Sequence, residues 1–336
     1  MTRAPGIRYE PPVTMRLLPG SDLLDPCTPR PAVGIGNFDG VHLGHISLLR
    51  RLRQHATEGG GPATLLTFRP HPAQLLRPAL APPLLCDVDD ERQLLAAAGV
   101  DLLVEEPFSL ALARLEPRDF VRQVLQERLR ARVVVVGFSF RFGAGAAGTP
   151  EELLRLLHAA GIAGEILPPV LLDDQPVSST RIRALLGVGQ VEQAARLLGR
   201  PFRLSGQVQR GDGRGRTLGF PTVNLLPTTP LVPADGVYAA RVLLHETGQT
   251  RPAALCIGVR PTFGVQRRAI EAYLLDFEGD LYGQRVSVDL LAFLRPERRF
   301  PGPEALIAAM VEDVARVRTL ASADLPPAPA GAARPC

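Results

Sequence analysis

The stretch "AVGIGNFDGVHLGH" occupies residues 32–45 and joins an apolar start to four glycines, one aspartate and two histidines. The apolar start is typical of a buried strand, and "LGHISLLRRLRQHA" at 43–56 has the periodicity of a helix. Open α/β sheets bind ligands at the carboxyl ends of their strands. The turn between this strand and this helix is therefore the first candidate for a ligand site.

Two histidines stand at the start of the predicted helix. His42 and His45 are three residues apart, a spacing that places them on one helix face. A helix N-terminus carries free N–H groups and a positive partial charge, so its natural ligand is an anion. Gly44 leaves room for close approach of a ligand. The pattern favours a phosphate site over a purely structural turn.

A dinucleotide-binding loop is the alternative for this turn. That fingerprint requires G-x-G-x-x-G and an acidic residue at the end of the second strand. Gly34 and Gly36 fit, but Asp39 replaces the third glycine, and the second strand ends at Arg69. The fingerprint also gives no role to paired histidines, so hydride transfer is disfavoured.

The pattern of predicted secondary structure changes once along the chain. Apolar runs alternate with helical patterns up to about residue 169, which predicts a parallel sheet covered by helices. After Phe202 short alternating strands predict a small Greek-key barrel, closed by an amphipathic helix. We expect an α/β domain at 1–188 with a loose N-terminal extension, a connector at 189–202, an all-β domain at 203–320 and a disordered tail at 321–336.

Composition excludes several classes of protein. All 38 cationic side chains are Arg, so neither a Walker lysine nor a Schiff-base lysine is possible. A net charge of +4 over 336 residues is too small for a nucleic-acid footprint. No apolar run reaches membrane-spanning length, and no signal peptide is recognisable. Widely spaced cysteines (Cys27, Cys86, Cys256, Cys336) predict reduced thiols, and together these features predict a cytoplasmic protein.

The turn at 36–45 resembles the H-x-G-H signature of nucleotidylyltransferases. The likeness extends over roughly residues 15–315 to the bacterial bifunctional riboflavin kinase/FMN adenylyltransferases, also called FAD synthetases. It is carried by these motifs in order: "TFRPHP" (67–72), "VVGFSFRFGAGAAGT" (135–149), "SSTRIR" (178–183), "GRTLGFPTVNL" (215–225), "IGVRPTFG" (257–264), "EAYLLDFEGDLYG" (271–283) and "FLRPERRF" (293–300).

The resemblance implies an adenylyltransferase site in the α/β domain, with the Rossmann-like nucleotidylyltransferase fold. His42 and His45 would hold the ATP phosphates and stabilise charge on the α-phosphate. The residues implied to surround the nucleotide are Gly36, Asn37, Asp39, Gly40, Gly44, Ser179, Thr180 and Arg183. The residues implied on the flavin side are Pro70, His71 and Pro72. On sequence alone, "SSTRIR" would be an ordinary helix cap followed by surface arginines.

Two positions depart from the family pattern. Relatives usually carry Asn or Asp where Ser139 stands, and many place basic residues in the loop that here contains Ala146 and Ala147. A hydroxyl has a shorter reach than an amide or carboxylate, and alanine has no donor. We therefore assign no catalytic role to Ser139 and no phosphate contact to this loop.

The resemblance implies a riboflavin kinase site in the barrel. Thr222 and Asn224 are two apart, so in an extended stretch both face one way, and their oxygens suit Mg²⁺ on ATP phosphates. Glu271 would be the general base that takes the proton of the riboflavin 5′-hydroxyl. The glycine-rich "GDGRGRTLG" at 211–219 resembles a flap over the nucleotide.

The implied activity is bifunctional: riboflavin and ATP give FMN and ADP in the barrel, and FMN and ATP give FAD and pyrophosphate in the α/β domain. Both steps would require Mg²⁺, and the only partners expected are these small molecules, with the chain a monomer or a weak homo-oligomer. The alternative is a nucleotidylyltransferase of other specificity fused to a flavin-binding barrel. That alternative does not explain "PTVN" (221–224) together with Glu271. A non-enzymatic binding protein is a third class. The arginine-rich surface is compatible with it, but no other feature favours it.

Overall fold

A computed structural model describes residues 15–210, 219–262 and 265–322. The chain forms two compact units. The first comprises the described residues of Met1–Phe38, Gly44–Pro82 and Arg92–Val170. The second comprises those of Asp39–Leu43, Pro83–Glu91 and Leu171–Cys336.

The first unit is built on a six-stranded parallel sheet in the order β1-β4-β3-β2-β5-β6. Its strands are β1 (Arg16–Leu18), β2 (Ala32–Ile35), β3 (Ala63–Arg69), β4 (Leu102–Pro107), β5 (Val133–Gly137) and β6 (Ala163–Leu167). The helices between these strands are α1 (Leu43–Gly59), α2 (Pro72–Leu76), α3 (Val88–Ala97), α4 (Leu110–Ala113), α5 (Pro117–Phe120, continued as a π-helix over Val121–Arg128) and α6 (Pro150–Ala159). Short 3₁₀ turns cover Ser21–Leu23, Pro78–Leu80 and Ala144–Ala146. The predicted parallel sheet with helices is confirmed.

Continuous burial explains why these segments form central strands. All four residues of β2 are buried, and β5 is buried over its four consecutive valines. Strands covered on both faces by helices have this composition. Their side chains enter a core that includes Val33, Ile35 and Val134 together with apolar residues of the helices. The edge strand β1, which pairs with β4, was not predicted.

The strand order reverses at β2. From β2 the chain continues to β3 on one side, whereas β5 adds on the other side. A crevice forms outside the carboxyl ends of strands at such a switch point, and ligands bind there in open α/β sheets. Residues after Ile35 and after Gly137 leave the sheet at this position.

The second unit contains a closed antiparallel barrel in the cyclic order β10-β13-β12-β11-β14-β9. Its strands are β9 (Phe202–Gln209), β10 (Val223–Pro227), β11 (Gly236–Leu244), β12 (Thr250–Thr262), β13 (Val265–Leu274) and β14 (Arg285–Arg295). A two-stranded hairpin of β7 (Leu171–Leu172) and β8 (Gln175–Pro176) precedes the helices α7 (Ser179–Gly187) and α8 (Val191–Leu198), and α9 (Pro303–Ser322) follows the barrel. The predicted barrel and C-terminal helix are confirmed.

The helix α9 covers part of the outer barrel surface. Val317 of α9 is fully buried in a cluster with Val237, Ala239 and Leu294 of β11 and β14. The alternate residues of β12, such as Leu255 and Ile257, are buried at 0 % exposure on the opposite strand face. The barrel therefore has a filled interior and a second apolar face under the helix.

The segment Pro83–Glu91 joins the second unit through polar contacts. Ser205 Oγ of β9 donates a hydrogen bond of 2.6 Å to Asp90 Oδ2, and Thr228 Oγ1 donates one of 2.7 Å to Asp87 Oδ2. Arg285 of β14 forms an ion pair of 2.9 Å with Asp87. This segment is therefore part of the same compact unit as the barrel. The functional ranges 1–188 and 203–320 stay a prediction.

Candidate active sites

Residues 36–38 leave β2 within the first unit. The N–H of Gly36 donates to the carbonyl of Leu66 at 3.2 Å, which extends the β2–β3 pairing by one step. A Cβ at Gly36 would lie 3.1 Å from the ring of Phe38, so glycine lets that ring fold back. Phe38 is buried, and its ring centroid lies 5.1 Å from that of His45 on α1. A buried aromatic ring therefore contacts the predicted catalytic imidazole.

Asp39 is the first residue of the segment Asp39–Leu43, which belongs to the second unit. It makes several polar contacts. It is 4 % exposed, and its Oδ1 accepts a hydrogen bond of 2.7 Å from the Leu85 N–H. Its Oδ2 forms an ion pair with Arg183, and its carbonyl accepts a hydrogen bond of 2.9 Å from Ser179 Oγ. Burial raises the pKa of Asp39, and the Arg183 charge partly offsets that rise.

Gly40 and Val41 both have left-handed backbone, with φ of 83° and 37°. A Cβ at Gly40 would lie 2.7 Å from Cδ1 of Leu85, so glycine is required there for space as well as for φ. A β-branched residue at positive φ is rare and strained, and such strain clusters at functional sites. Val41, the residue directly before His42, therefore holds an unfavourable conformation, whereas Gly40 adopts its own freely.

His42 is buried, with 6 % exposure. Burial lowers its pKa to about 4, and the positive charges of Arg200 and Arg183 act in the same direction. The imidazole is therefore neutral at pH 7. A neutral imidazole can still donate one N–H to a phosphate oxygen, so His42 would act as a hydrogen-bond donor and not as a cation.

His45 lies in the first turn of α1, and His42 stands one residue before that helix. The first turn of α1 carries no acidic side chain, which suits an anion at this end. The two histidines fall in different compact units. Their joint action on one phosphate stays a prediction.

The motif "SSTRIR" forms the start of α7. Ser178 caps the helix by accepting a hydrogen bond of 3.3 Å from the Arg181 N–H. Ser179 and Arg183 converge on Asp39, and Arg183 Nε also donates to the Pro83 carbonyl at 2.8 Å. Thr180 is exposed. The structure thus brings Asp39, Ser179 and Arg183 together, while their phosphate contacts stay a prediction.

The motif "TFRPHP" lies at the carboxyl end of β3. Its histidine caps α2, because His71 Nδ1 accepts from the Ala73 N–H at 3.1 Å and the His71 N–H donates to Gln74 Oε1 at 3.2 Å. His71 therefore has a structural role that sequence reasoning missed. Flavin contacts by Pro70, His71 and Pro72 stay a prediction.

The two departures from the family pattern lie on the surface of the loop after β5. Ser139, Ala146 and Ala147 are all exposed. Hydrogen bonds between the backbones of Phe142 and Gly148 close this loop. The absence of a phosphate contact from this loop stays a prediction.

The barrel places the predicted kinase residues on neighbouring strands. Asn224 of β10 is the register partner of Glu271 on β13, so these two side chains share one sheet face. Thr222 stands two residues before Asn224, just outside β10, and lines a cavity together with Glu271. The structure therefore brings Thr222, Asn224 and Glu271 to neighbouring positions, while their roles as metal ligands and general base stay a prediction.

That cavity has a volume of about 290 Å³ and lies between the outer barrel face and α9. Its apolar wall is formed by Val237, Ala254, Ala269, Met310 and Val314, among others. Its polar groups are Thr222, Glu271, Arg295, Glu297 and Asp313. A mostly apolar cleft with a few polar groups is typical of small-molecule sites.

Two features of the cavity wall were not predicted. Phe220 meets the ring of Tyr273 edge to face, with centroids 5.2 Å apart. Arg295 at the end of β14 forms a two-pronged ion pair with Asp313 of α9, with contacts of 2.8 to 3.2 Å. The pair ties α9 to the barrel. The motif "FLRPERRF" contains Arg295, but its partner lies on a helix whose packing the sequence does not specify.

Among the described residues no group of three or more His, Cys, Asp or Glu side chains could hold a metal ion. Thr222 and Asn224 offer neutral oxygen donors instead. Mg²⁺ is commonly held by few protein ligands together with substrate phosphates and waters, so this donor set fits a phosphate-bound ion. The predicted flap at 211–219 lies outside the described residues except for Gly219.

Two family models match the chain. A FAD synthetase model matches residues 25–181, and a riboflavin kinase model matches residues 198–321. Curated relatives called bifunctional riboflavin kinase/FMN adenylyltransferase are similar over most of the chain. The relative from Pseudomonas fluorescens is 39% identical over 86% of this chain and 92% of its own length. The one from Escherichia coli K12 is 37% identical over 83% and 89%.

A crystal structure described as a macrolide-efflux protein from Streptococcus pneumoniae has the same fold. It is 30% identical, has a TM-score of 0.80, and the match covers 90% of this chain and 98% of the other. Within the ranges 15–210, 219–262 and 265–322, no helix has the length and apolar character of a membrane span.

Proposed function

This chain belongs to the family of bifunctional riboflavin kinase/FMN adenylyltransferases, and we propose that its two reactions occur at two separate sites. It phosphorylates riboflavin with ATP to give FMN and ADP. It then transfers the adenylyl group of a second ATP to FMN, giving FAD and pyrophosphate. We assign the first reaction to the barrel cavity and the second to the turn at 36–45.

In the kinase reaction, the 5′-hydroxyl oxygen of riboflavin attacks the γ-phosphorus of ATP. The bond to the oxygen between the β- and γ-phosphorus breaks, and ADP leaves. We propose that Glu271 accepts the hydroxyl proton, as a positioned carboxylate does in kinases. The observation that supports this assignment is the position of Glu271, which lines a mostly apolar cavity together with Thr222 and is the register partner of Asn224.

We propose that the flavin ring occupies this cavity. Its volume of about 290 Å³ and its apolar wall suit a flat, largely apolar ring system. Phe220 and Tyr273 offer aromatic surface on one side. Glu271 would then lie where the sugar-alcohol chain of riboflavin leaves the ring.

The ion that we propose for the kinase site is Mg²⁺, held by Thr222 and Asn224. When bound, it would neutralise charge on the ATP phosphates. Asn224 is the register partner of Glu271, and Thr222 lines the cavity with Glu271, so the same short segment would position both phosphate and base.

In adenylyl transfer, a phosphate oxygen of FMN attacks the α-phosphorus of ATP and pyrophosphate leaves. No covalent enzyme intermediate is required, so positioning and charge stabilisation supply the catalysis. We propose that neutral His42 and the N-terminal turn of α1 with His45 donate to the phosphates. Gly36, Asn37, Asp39, Gly40, Gly44, Ser179, Thr180 and Arg183 would surround the nucleotide.

We propose that the chain acts as a monomer or a weak homo-oligomer. The adenylyltransferase is assigned to 1–188 and the kinase to 203–320. A cytoplasmic location follows from the supply of ATP to both steps.

The test uses two variants that affect opposite reactions. Glu271→Gln keeps the shape of the side chain but cannot accept a proton, and should lower FMN formation by about 10²- to 10⁴-fold. His45→Ala should lower FAD formation by about 10²- to 10³-fold, because one positioned donor is lost. Chromatographic separation of flavins measures both rates, with riboflavin or FMN supplied alongside Mg·ATP.

Each variant is the control for the other. Glu271→Gln should retain FAD formation from supplied FMN, and His45→Ala should accumulate FMN. Thr222→Ala and Asn224→Ala should follow Glu271→Gln. If a folded variant lowers both rates equally, the two-site assignment is wrong. Turnover of another nucleotide acceptor without FAD would support the alternative specificity.

A further inference from the structure

Arg200 contacts the proposed nucleotide turn from a distant part of the chain. It follows Gly199, the left-handed residue that ends α8. Its Nη2 donates to the Gly40 carbonyl at 2.8 Å and its Nη1 to the Val41 carbonyl at 3.1 Å. A third, longer contact of 3.4 Å joins Nη1 to the Leu198 carbonyl.

The two carbonyls that Arg200 holds belong to the two residues with left-handed backbone. Val41 is buried and β-branched, so its φ of 37° is unfavourable in isolation. Such a conformation persists only when its surroundings impose it. A planar guanidinium that binds both carbonyls at once restrains the direction of both peptide groups. Arg200 therefore stabilises the conformation that leads directly into His42.

Charge neutralisation is not the role of this side chain. In the part of the chain that the structure describes, Arg200 forms no ion pair, and its other partner is the free thiol of Cys86 at 3.8 Å. Burial lowers the pKa of Arg200, which means that keeping this cation in the site costs desolvation free energy. Arg203, three residues on, differs because it binds Asp289 with two contacts of 2.7 and 3.0 Å.

We propose that Arg200 is a positioning residue for adenylyl transfer, which fixes Gly40 and Val41 so that His42 meets the ATP phosphates. The proposal rests on the proposed function of the 36–45 turn. Arg200 lies within residues 198–321, which match the riboflavin kinase model. A residue from the kinase-matched range thus completes the adenylyltransferase, and residues 1–188 alone would lack it.

The experiment compares three variants of the full chain: Arg200→Ala, Arg200→Lys and Arg203→Ala. For Arg200→Ala we expect kcat of FAD formation from FMN to fall about 10- to 100-fold, since a displacement near 1 Å has effects of this size. KM for FMN should change less than kcat, because the guanidinium of Arg200 is already engaged by the carbonyls of Gly40 and Val41. Arg200→Lys keeps the charge but cannot bind two carbonyls in a fork, so it should recover only part of kcat.

Arg203→Ala is the matched control, since it removes a neighbouring guanidinium that does not contact the turn. It should lower the melting temperature and leave kcat of FAD formation unchanged well below that temperature. FMN formation from riboflavin, measured on the same samples, reports whether the barrel is folded. If Arg200→Ala proves too unstable to assay, Arg200→Lys provides the test: a reduced kcat supports the proposal and a parental kcat contradicts it.

Three results would overturn the proposal. One is a parental kcat in both Arg200 variants while His45→Ala loses FAD formation, which leaves the proposed function intact. Another is a loss of kcat that follows melting temperature equally in Arg200→Ala and Arg203→Ala, which indicates stability alone. The third is full FAD formation by His45→Ala, which would refute the proposed function and this inference with it.

Discussion

The protonation of His42 gives the chain a pH-dependent stability whose sign follows from its burial. Its pKa is lowered to about 4 from an ordinary value of 6.5, mainly by burial and further by the charges of Arg200 and Arg183. As pH falls below 6.5 the unfolded chain takes up the proton first, so folding becomes less favourable. The contribution is complete above pH 6.5 and is lost progressively down to about pH 4.

The size of this effect follows from the same two pKa values. The gap between 6.5 and about 4 corresponds to about 3 kcal/mol in total. About 2 kcal/mol of it falls between pH 7 and pH 5. Replacing His42 by Gln keeps a hydrogen-bond donor and removes the titration. The pH-dependent loss of unfolding free energy should therefore be about 2 kcal/mol smaller in His42→Gln than in the parent.

Urea unfolding at pH 7 and pH 5, followed by tyrosine fluorescence, measures this difference. Tyr238, Tyr273 and Tyr282 belong to the second unit, which also holds His42. Buried carboxyls such as Asp39 titrate in both proteins, so the comparison removes most of their effect. The imidazole signal that disappears in His42→Gln gives the pKa directly by NMR. A signal that titrates near 6.5, or equal pH dependence in both proteins, would refute the reasoning.

Two further predictions concern the barrel. Residues 187–320 expressed alone should form FMN but no FAD. The melting temperature of this fragment should be below that of the full chain, because the barrel loses its hydrogen bonds to Asp87 and Asp90. A folded fragment without kinase activity would contradict the prediction. Asp313→Ala removes the ion-pair partner of Arg295 and should lower the free energy of unfolding by about 3–5 kcal/mol. Because both residues line the cavity, KM for riboflavin should rise. Calorimetry and initial rates measure the two effects, and an unchanged melting temperature would contradict the prediction.

The two folds could be predicted because their patterns are local. The continuous apolar runs of β2 and β5 indicate strands buried on both faces. The alternation of apolar and polar residues in β14 indicates a strand, but it does not indicate which face is covered, since Ser287 and Asp289 are buried as well as Val286 and Val288. The edge strand β1 was missed because it has only three residues, two of them exposed. A short exposed segment carries too little periodicity to be distinguished from a loop.

The composition of the candidate sites was harder to predict than the folds. Patterns of period 2 or 3.6 indicate which face is buried, but not which distant residue it meets. Arg200 and Gly40 are 160 residues apart, and Asn224 meets Glu271 only through strand register. The capping role of His71 was also missed, because a histidine before a proline is not a common cap. The resemblance implied Asp39, Ser179 and Arg183 as separate site residues. The structure adds that Ser179 and Arg183 both contact Asp39.

The polar contacts of the segment Pro83–Glu91 have a consequence for synthesis on the ribosome. Asp90 is made 115 residues before its partner Ser205, and Asp89 is made 196 residues before Arg285. At roughly 5–20 residues per second, Asp89 waits about 10–40 s for that partner. The second unit is therefore completed only when translation is nearly finished, and a nascent chain that stalls before β14 cannot close it.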